Sequence, residues 1–487
     1  MKITLIQPSK PRIGTIAEDS WELCRPLSLH YLASSIKNKT KHVFEIIDFE
    51  SKSYVNKNYE EVIKNKSSNI WGLTCTTYTR FECIEIIKLI KKNHPNSLVV
   101  VGGVHFMYVS EEALKEIQEI DIVCRGEGDI IILNLLKALE IGTDLTNVKG
   151  ITFRNKNGEI IRNQDEEVFE DLDTIIPFYD FDYEDYTEYL FGFNEKIRAV
   201  SILSSRGCPY NCVFCSKAGM KYRLRDPKLV IDEIEYYYKN FQISAFNFLD
   251  LTFTVNNEHV KNICNEIIKR NINIRWWCES RANIDLELLK IMKAAGCVSI
   301  VIGVETGSDR LLKTIVKGIS KIEVVNFLKE CKKYDIKTTA YFMFSLPGET
   351  KNDVKETIKF INELRAYTNS FSFQPSMIFP GTKLEKIALE KGILPNNFSW
   401  HKPYKNTLNS ELGQLNNIPL YIEHIKPRDL KKLLNYKHLN DGISSIENYD
   451  NFRIFLKNKS PIQILLKYLS FSFKKRGFFE LLFKKKY

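Results

Sequence analysis

The feature that most constrains the fold is a regular alternation of apolar runs and helix-length amphipathic stretches between residues 194 and 378. Six runs rich in Ile, Val, Phe and Trp have the composition of buried parallel strands. In chain order they are IRAVSILSS, AFNFLD, IRWWCESR, VSIVIGVET, KTTAYFMFSLP and SFSFQPSMI. One helix-like stretch separates each run from the next. The pattern predicts a partial (β/α)6 TIM-type barrel, smaller than the eight-unit fold, with its chemistry at the C-terminal rim.

An earlier alternation covers residues 2 to about 140. Its near-continuous apolar runs are ITLIQ, VFEIIDF, IWGLTC, LVVVGG and DIVCRG, and the stretches between them have helical spacing. This predicts an open, doubly wound, Rossmann-like α/β domain whose ligand lies at the carboxyl ends of the strands. The candidate residues at those ends are Pro8, Asp48, Thr74, Thr76, Gly102, Gly103, His105, Gly126 and Gly128.

The two alternations divide the chain into four parts. The predicted parts are a first domain at 1–140, a connecting segment at 141–193, a barrel at 194–395 and a mainly helical segment at 396–487. The connecting segment contains NKNGE, which is typical of a tight hairpin turn. The last segment ends in a basic, Phe-rich tail. We expect that tail to pack on the barrel with a solvated basic end, and peripheral contact with an anionic membrane surface is the alternative.

Three cysteines follow the first predicted barrel strand, in the sequence SSRGCPYNCVFC. The chain has 11 cysteines, an odd number, and no sign of export, so the pattern does not indicate a disulfide framework. Cys208, Cys212 and Cys215 are one ligand short of a closed zinc site. They suffice for three irons of a cubane cluster, whose fourth iron then accepts another ligand. A structural zinc site completed by His259 or Cys264 is the alternative.

This loop resembles the cluster-binding loop of the radical S-adenosylmethionine superfamily. The C-x3-C-x2-C spacing, the aromatic Phe214 before the last cysteine and the preceding strand of a six-unit barrel occur together. In that family S-adenosylmethionine chelates the free iron of a 4Fe-4S cluster, and one electron cleaves it to a 5′-deoxyadenosyl radical. The resemblance implies an enzyme whose cofactors carry the difficult step, while the protein fixes geometry and excludes water.

Further segments resemble family motifs that contact S-adenosylmethionine. FNFLDLTFT points to Asp250 as the partner of the amino group, although Leu251 stands where many relatives have a second acidic residue. IVIGVETGS points to Glu305 as the contact to the ribose hydroxyls. A salt-bridged barrel residue is the alternative interpretation of Glu305.

The third strand and the last two turns complete the resemblance. WWCESR places Glu279 and Arg281 at the rim, where Arg281 would hold the methionyl carboxylate by paired hydrogen bonds. Phe214 is included among the cofactor contacts because of its place in the cysteine motif. FMFSLPGET and IFPGT match the turns after the fifth and sixth strands, with Ser345 where relatives often have Gly.

The first domain resembles the cobalamin-binding domain that precedes the barrel in one large branch of this superfamily. The segments that carry the likeness are PLSLHYLASSI, FEIIDFE, WGLTCTTYT, VVVGGVHF and CRGEGD, in the expected order. Gly102 and Gly103 are expected to let the backbone approach the nucleotide tail of the cofactor, where a Cβ would collide. His105 is a candidate to face the corrinoid ring, and the favoured alternative is a polar residue in a strand-end loop.

The chain departs from this domain's pattern at the lower axial ligand. The motif D-x-H-x-x-G supplies a histidine, but here the residues from Asp48 are Asp-Phe-Glu-Ser, with Glu50 at the histidine position. Cobalt bound here would have a weak or absent lower ligand. A domain that has lost its cobalamin is the alternative.

Charge and the N-terminus bear on the partners. The net charge of +10 comes from 70 basic and 60 acidic residues spread along most of the chain, so it forms no basic stripe for nucleic acid. The N-terminus has no secretory pattern, and no apolar stretch approaches the roughly 18 residues of a membrane span. We expect a cytoplasmic enzyme with a small-molecule substrate, no nucleic-acid partner, and a one-electron donor such as flavodoxin or ferredoxin.

The order of domains and the barrel motifs together predict a cobalamin-dependent radical enzyme. The leading hypothesis is methylation of an unactivated carbon in a small molecule or biosynthetic intermediate, with S-adenosylmethionine consumed both as methyl donor and as radical source. One alternative keeps the cofactors but ends in cyclisation, rearrangement or oxidation. A second alternative is a cobalamin or iron-sulfur sensor without turnover.

Overall fold

Two parallel sheets, one for each predicted α/β region, organise the chain. The computed structural model describes residues 1–10, 26–174, 189–191, 195–217, 219–404 and 418–434. Both sheets lie within these residues, and their strands match the apolar runs of the sequence.

The first sheet has seven strands in the order β2-β1-β3-β4-β5-β6-β7. Its strands are β1 (Lys2–Gln7), β2 (Val43–Asp48), β3 (Ile70–Thr74), β4 (Leu98–Gly102), β5 (Ile122–Cys124), β6 (Ile151–Arg154) and β7 (Ile160–Arg162). The first five are parallel, and β6 and β7 form the antiparallel hairpin predicted from NKNGE. The strand order reverses between β1 and β3, so the loops after these strands part and leave a crevice.

Helices cover both faces of this sheet, because strands buried on two sides need an apolar layer on each. They are α1 (Leu27–Lys39), α2 (Tyr59–Lys64), α3 (Arg80–Asn93), α4 (Ser110–Glu116) and α5 (Gly128–Ile141). Helices α1 and α5 pack on one face around Ile36 and Leu135. Helices α2, α3 and α4 pack on the other face around Ile63 and Ile87. This confirms the doubly wound fold.

Two short antiparallel pairs accompany the start of the second region. The first pair is β8 (Tyr189–Phe191) and β9 (Glu195–Ile197), and the second is β11 (Ser205–Cys208) and β12 (Met220–Leu224). The second pair follows the first barrel strand directly. It therefore begins at the carboxyl end of that strand.

The second sheet is an incomplete barrel of six parallel strands in sequence order. Its strands are β10 (Ala199–Ile202), β13 (Ala245–Phe248), β14 (Arg275–Ser280), β15 (Cys297–Glu305), β16 (Lys337–Phe344) and β17 (Ser370–Pro375). The helices are α6 (Pro227–Phe241), α7 (Asn257–Lys269), α8 (Glu287–Ala294), α9 (Asp309–Thr314), α10 (Lys321–Lys333), α11 (Lys351–Leu364), α12 (Lys383–Glu390) and α13 (Pro427–Leu434). The predicted (β/α)6 architecture is confirmed.

Capping residues set where the barrel helices begin. Asp226 caps α6 and Pro227 occupies its first turn, where a missing N–H costs nothing. Ser320 and Glu323 form a capping box at α10, and Thr350 begins an equivalent box at α11. Each cap contributes about 1 kcal/mol. Each of these helices therefore begins at a defined residue, which also defines where the preceding loop ends.

One apolar core runs from the first sheet into the segments that follow the barrel. Ile378, Leu384, Trp400 and Tyr421 pack in the same cluster as Ile87 of α3. The described residues as far as 431 accordingly belong to one compact unit. The predicted domain limits stay predictions.

No helix among the described residues is both long and apolar enough to cross a bilayer. The predicted basic tail at 460–487 lies outside the described residues.

Candidate active site

The three predicted cluster cysteines share one loop at the carboxyl end of the first barrel strand. Cys208 ends β11, and Cys212 and Cys215 follow in the turn toward β12. Gly207 has a φ of 87°, and a Cβ there would lie 2.0 Å from the carbonyl oxygen of Lys221. The glycine before the first cysteine is therefore required by the hairpin itself.

Backbone hydrogen bonds fix the middle of this loop. The N–H of Val213 donates to the carbonyl of Ile315 at 3.0 Å, and the carbonyl of Val213 accepts from the N–H of Leu384 at 3.0 Å. Phe214 packs on Ile315 and Leu346. The cysteine loop is thus held between the fourth and sixth barrel units, and Phe214 contributes packing there.

The three thiols are not close enough together to bind a single ion. Three thiolates on one zinc ion, with bonds of about 2.3 Å, would lie about 3.8 Å apart. The three sulfur atoms do not all lie within 4.8 Å of one another. Among the described residues, no set of three ligating groups within that distance combines the triad with His259 or Cys264. The residues fit a 4Fe-4S cluster with one open iron, and the zinc alternative is not supported.

Arg281 lies beside the cysteine loop and is buried. Its Nη1 is 3.9 Å from Cys212 Sγ, and its guanidinium carbon lies 3.8 Å from the ring centroid of Tyr210. Its Nε donates to Asn283 Oδ1 at 3.3 Å, whereas its Nη2 has no hydrogen-bond partner among the described residues. A buried guanidinium with an unused donor next to three thiols fits the carboxylate of S-adenosylmethionine.

Glu305 forms a buried ion pair at the end of β15. Its Oε1 lies 2.7 Å from Nζ of Lys317. Burial raises the pKa of the Cys215 thiol, and Lys317 counters this by favouring the thiolate. The salt-bridged alternative for Glu305 is thus present, and contact with the ribose stays a prediction.

Asp250 is buried directly under the cysteine loop. Its Oδ1 accepts from the hydroxyl groups of Ser204, at 2.9 Å, and Ser205, and its Oδ2 accepts from the N–H of Ser204 at 3.1 Å. Burial raises the pKa of this carboxyl. Both oxygens are engaged within the protein, which favours a role in holding the start of the loop. The contact to the amino group stays a prediction.

Glu279 lies two residues before Arg281, near the end of β14. It is exposed on β14, between the buried residues Cys278 and Ser280. The structure therefore brings Arg281 to the cysteine loop from the third strand, and Glu279 is exposed on the same strand. Its contact to the cofactor stays a prediction.

The turn after β16 contains a buried acid that sequence reasoning missed. Glu349 Oε2 accepts from the N–H groups of Ser345, at 2.5 Å, and Leu346, at 3.0 Å. Ser345 has a φ of 67°, a conformation that glycine adopts without cost. Burial raises the pKa of Glu349 to about 7.

The rim of the first sheet offers backbone and small side chains. Thr74, Thr76, Gly102, Gly103 and Gly126 are exposed or half-buried at the strand ends, whereas Pro8 and Asp48 are buried and Gly128 is half-buried at the start of α5. The buried hydroxyl of Ser51 has no partner among the described residues. A rim of small residues next to the β1–β3 switch point fits a large cofactor with a nucleotide tail.

Neighbouring segments of the protein pack closely around two of the predicted cofactor residues at this rim. A Cβ at Gly103 would lie 2.6 Å from the carbonyl oxygen of Cys75, so the adjacent loop alone already requires glycine there. His105 is completely buried, with its Nδ1 3.2 Å from Thr77 Oγ1 and its ring against Trp400. A segment from beyond the barrel covers it, and contact between His105 and the corrinoid stays a prediction. Glu50, at the position of the axial histidine, accepts from the N–H of Lys10 at 2.5 Å.

Side chains that the sequence analysis missed join the two rims. Tyr108 of the first domain donates a hydrogen bond to the carbonyl of Ser216, next to Cys215. Arg206, two residues before Cys208, pairs with Asp129 at 2.8 Å. The only sequence signal is the acidic pair within CRGEGD and the arginine within SSRGC.

A second ion pair strengthens this link. Arg223 of β12 donates to Glu127, with Nη1 3.1 Å from Oε2. Both side chains are largely buried, as are those of Arg206 and Asp129. The loop after β5 is therefore clamped onto the hairpin that carries the first cysteine.

Family models match both halves of this arrangement. The B12 binding domain matches residues 17–136, and the Radical SAM superfamily matches residues 202–361. An uncharacterized methyltransferase from Pyrococcus horikoshii is 31% identical over 407 residues, which cover 82% of this chain and 86% of the relative. The anaerobic magnesium-protoporphyrin IX monomethyl ester cyclase of Rubrivivax gelatinosus is 28% identical over 74% of this chain and 65% of the relative.

Solved structures share the fold. The radical S-adenosylmethionine methyltransferase TsrM from Kitasatospora setae has a TM-score of 0.66 at 22% identity, covering 81% of this chain and 77% of that chain. The cobalamin-dependent S-adenosylmethionine radical enzyme OxsB has a TM-score of 0.70 at 18% identity, covering 97% and 71%. The chain therefore belongs to the radical S-adenosylmethionine enzymes with a B12-binding domain, whose cofactors are a 4Fe-4S cluster, S-adenosylmethionine and cobalamin.

Proposed function

We propose that this enzyme transfers a methyl group from S-adenosylmethionine to an unactivated carbon of a small-molecule biosynthetic intermediate. The observation that carries the proposal is the contact between the two rims. Tyr108 reaches the backbone beside Cys215, and Asp129 pairs with Arg206 beside Cys208. The loops that we assign to the two cofactor sites therefore adjoin, which supports a reaction that uses both cofactors.

The residues of the chain have distinct parts in this proposal. When bound, the cluster supplies the electron that cleaves S-adenosylmethionine, and cobalamin carries the methyl group. Arg281 binds the carboxylate of S-adenosylmethionine through the donor that is otherwise unused, and Asp250 holds the start of the cysteine loop. The buried Arg206–Asp129 pair fixes the two sites relative to each other. A one-electron donor such as flavodoxin or ferredoxin serves the cluster.

The names of the relatives support methyl transfer and also supply a second candidate function, cyclisation. One is named a methyltransferase, as are two more distant ones that act on cytidylyl-2-hydroxyethylphosphonate and bacteriochlorophyllide d. Another is named a cyclase and is 28% identical over 74% of this chain. Radical cyclisation without methyl transfer is therefore the alternative to be separated by experiment.

The test uses S-adenosylmethionine labelled with ¹³C in its methyl group. The reconstituted enzyme and a reductant are incubated with a small-molecule extract of the source cells, and the products are resolved by mass spectrometry. Methyl transfer predicts a labelled product together with S-adenosylhomocysteine and 5′-deoxyadenosine. An unlabelled product with 5′-deoxyadenosine alone would refute methylation and favour cyclisation. The Cys208→Ala variant controls for products that do not depend on the cluster.

A further inference from the structure

Two carboxylates of the first domain face an imidazole from the segment that follows the barrel. Glu112 and Glu116 lie one turn apart on α4, and His401 lies beyond α12. One ligand atom from each residue lies within 4.8 Å of the other two. His401 Nδ1 is 3.4 Å from Glu112 Oε1 and 3.8 Å from Glu116 Oε2. Neither carboxylate belongs to the cofactor sites described above.

His401 is buried, and its two ring nitrogen atoms lack hydrogen bonds to the described residues. Its side chain is 1% exposed, and neither Nδ1 nor Nε2 has a hydrogen-bond partner among the described residues. Its ring stacks on Phe106, with 6.1 Å between centroids. Burying a polar ring in this state is costly unless a further partner completes it.

Neighbouring donors orient the two carboxylates. Glu112 Oε1 accepts from the N–H of Trp400 at 2.9 Å, and Glu116 Oε2 accepts from the hydroxyl of Ser399 at 2.6 Å. The Ser399 hydroxyl in turn accepts from the N–H of His401 at 3.1 Å. Such outer hydrogen bonds are what hold ligands in position around a metal ion.

The distances from His401 Nδ1 to the two carboxylates suit a shared cation better than a direct ion pair. Charged N–H to carboxylate bonds measure about 2.7–2.9 Å, shorter than either distance from His401 Nδ1. Two ligands at about 2.1 Å from a tetrahedral zinc ion lie about 3.4 Å apart, close to the separations here. Two carboxylates also neutralise the charge of one divalent ion.

We propose that Glu112, Glu116 and His401 bind one Zn²⁺ ion, with solvent at the fourth position beside the exposed Glu116. Imidazole with carboxylates is a ligand set that zinc accepts. The ion ties α4 of the first domain to the segment after the barrel. Lys402, whose Nζ is 3.2 Å from Glu116 Oε1, remains on the exposed side. The site stabilises the folded chain because the ligands come together only when both parts have folded.

The test is anaerobic zinc titration of the full-length protein with its cluster already reconstituted, so that the cysteine triad is occupied. The protein is freed of loosely bound metal with a chelator, and zinc binding is measured by competition with a chromophoric indicator. We expect one zinc ion per chain and a rise in the thermal midpoint on binding. Absence of a stoichiometric site would overturn the proposal and leave His401 as an ion-pair partner of Glu112.

Variants locate the site. Glu112→Gln and His401→Gln should weaken zinc binding at least 100-fold, and Ser399→Ala should weaken it about 10-fold through the lost outer hydrogen bond. Glu111→Gln, on the same helix but outside the triad, removes the same charge and should bind zinc as the wild type does. Equal binding by Glu112→Gln and Glu111→Gln would refute the assignment.

A spectroscopic measurement covers the case in which His401→Gln fails to fold. Zinc-edge X-ray absorption of the wild-type holoprotein should show only nitrogen and oxygen neighbours, at about 2.0–2.2 Å. Sulfur neighbours at about 2.3 Å would place the zinc at cysteines and overturn the proposal.

Discussion

The two sheets differ in the kinds of residue at the rims where their cofactor sites are predicted. Parallel strands form the whole second sheet and the first five strands of the first, and the predicted sites lie at the carboxyl ends of these strands. The barrel rim concentrates ionisable side chains, namely the cysteine triad with Arg281 and the Glu305–Lys317 pair. The rim of the first sheet presents threonine after β3 and glycine after β4 and β5.

The difference follows from what each site has to hold. An iron-sulfur cluster and a zwitterionic amino acid need ligands and counter-charges of fixed type at fixed positions. A large, rigid cofactor is held over a wide surface, where many small contacts share the binding energy. Single substitutions should therefore abolish function at the barrel rim and only weaken it at the first rim.

The largest expected effect comes from removing one thiol of the triad. Cys208→Ala should bind no intact 4Fe-4S cluster and should reduce formation of 5′-deoxyadenosine below detection, since three ligands are the minimum here. Iron and sulfide analysis with product chromatography would measure both. Cobalamin should still be retained by the variant.

Cys264→Ala is the matched control, because this buried thiol lies on α7 outside the triad. Its iron content should equal that of the wild type. If the Cys208→Ala protein still cleaved S-adenosylmethionine, the barrel rim would not depend on single residues as proposed.

The buried acid at the barrel rim should make stability depend on pH. The pKa of Glu349 is about 7 in the folded chain, above its ordinary 4.5, because burial disfavours the charge. Between these pH values the unfolded chain has released the proton and the folded chain keeps it. Protonated Glu349 therefore contributes fully to the free energy of unfolding below pH 4.5. This contribution, about 3 kcal/mol, is lost as the pH rises to 7.

The neutral variant Glu349→Gln provides the measurement. Its amide oxygen still accepts from Ser345 and Leu346, but it does not ionise. Denaturant unfolding at pH 5 and pH 8 should show a smaller loss of stability for the variant than for the wild type. Parallel pH profiles for the two proteins would contradict the assigned ionisation.

Arg281→Met should raise KM for S-adenosylmethionine about 100-fold, or about 3 kcal/mol, because the carboxylate loses a buried charged partner. The iron content should stay near that of the wild type. Arg281→Lys keeps the charge but not the planar fork, so it should restore only part of the affinity. An unchanged KM would show that the carboxylate binds elsewhere.

Weakening the ion pair that links the two rims should have the smallest effect on the reaction. Asp129→Asn weakens the pair with Arg206, and we expect about a tenfold lower ratio of methylated product to 5′-deoxyadenosine, with both cofactors still bound. Glu233→Gln is the control, because Glu233 pairs with Arg225 inside the barrel at 2.6 Å. Equal ratios in the two variants would remove the positioning role.

Much of the architecture was predictable because it rests on local patterns. Both sheets follow from apolar runs, and the β6–β7 hairpin follows from NKNGE. The cysteine triad was equally accessible, since covalent ligands demand one residue type at one spacing.

The rest depends on contacts between distant residues. Arg206 and Asp129 are 77 positions apart, and no local pattern pairs them. His105 was placed at the rim by its position after β4, but Trp400 packs against it from a segment almost three hundred residues later. Position along a strand therefore predicts which rim a residue occupies, but not what finally covers it.

The core shared by the first sheet and the segments after the barrel has a consequence for synthesis on the ribosome. The apolar face around Ile87 is completed by Leu384, Trp400 and Tyr421. At roughly 5–20 residues per second, those partners emerge tens of seconds after the first sheet. During that interval the nascent first domain exposes part of its core, and a chaperone that covers apolar surface would protect it until the last segment arrives.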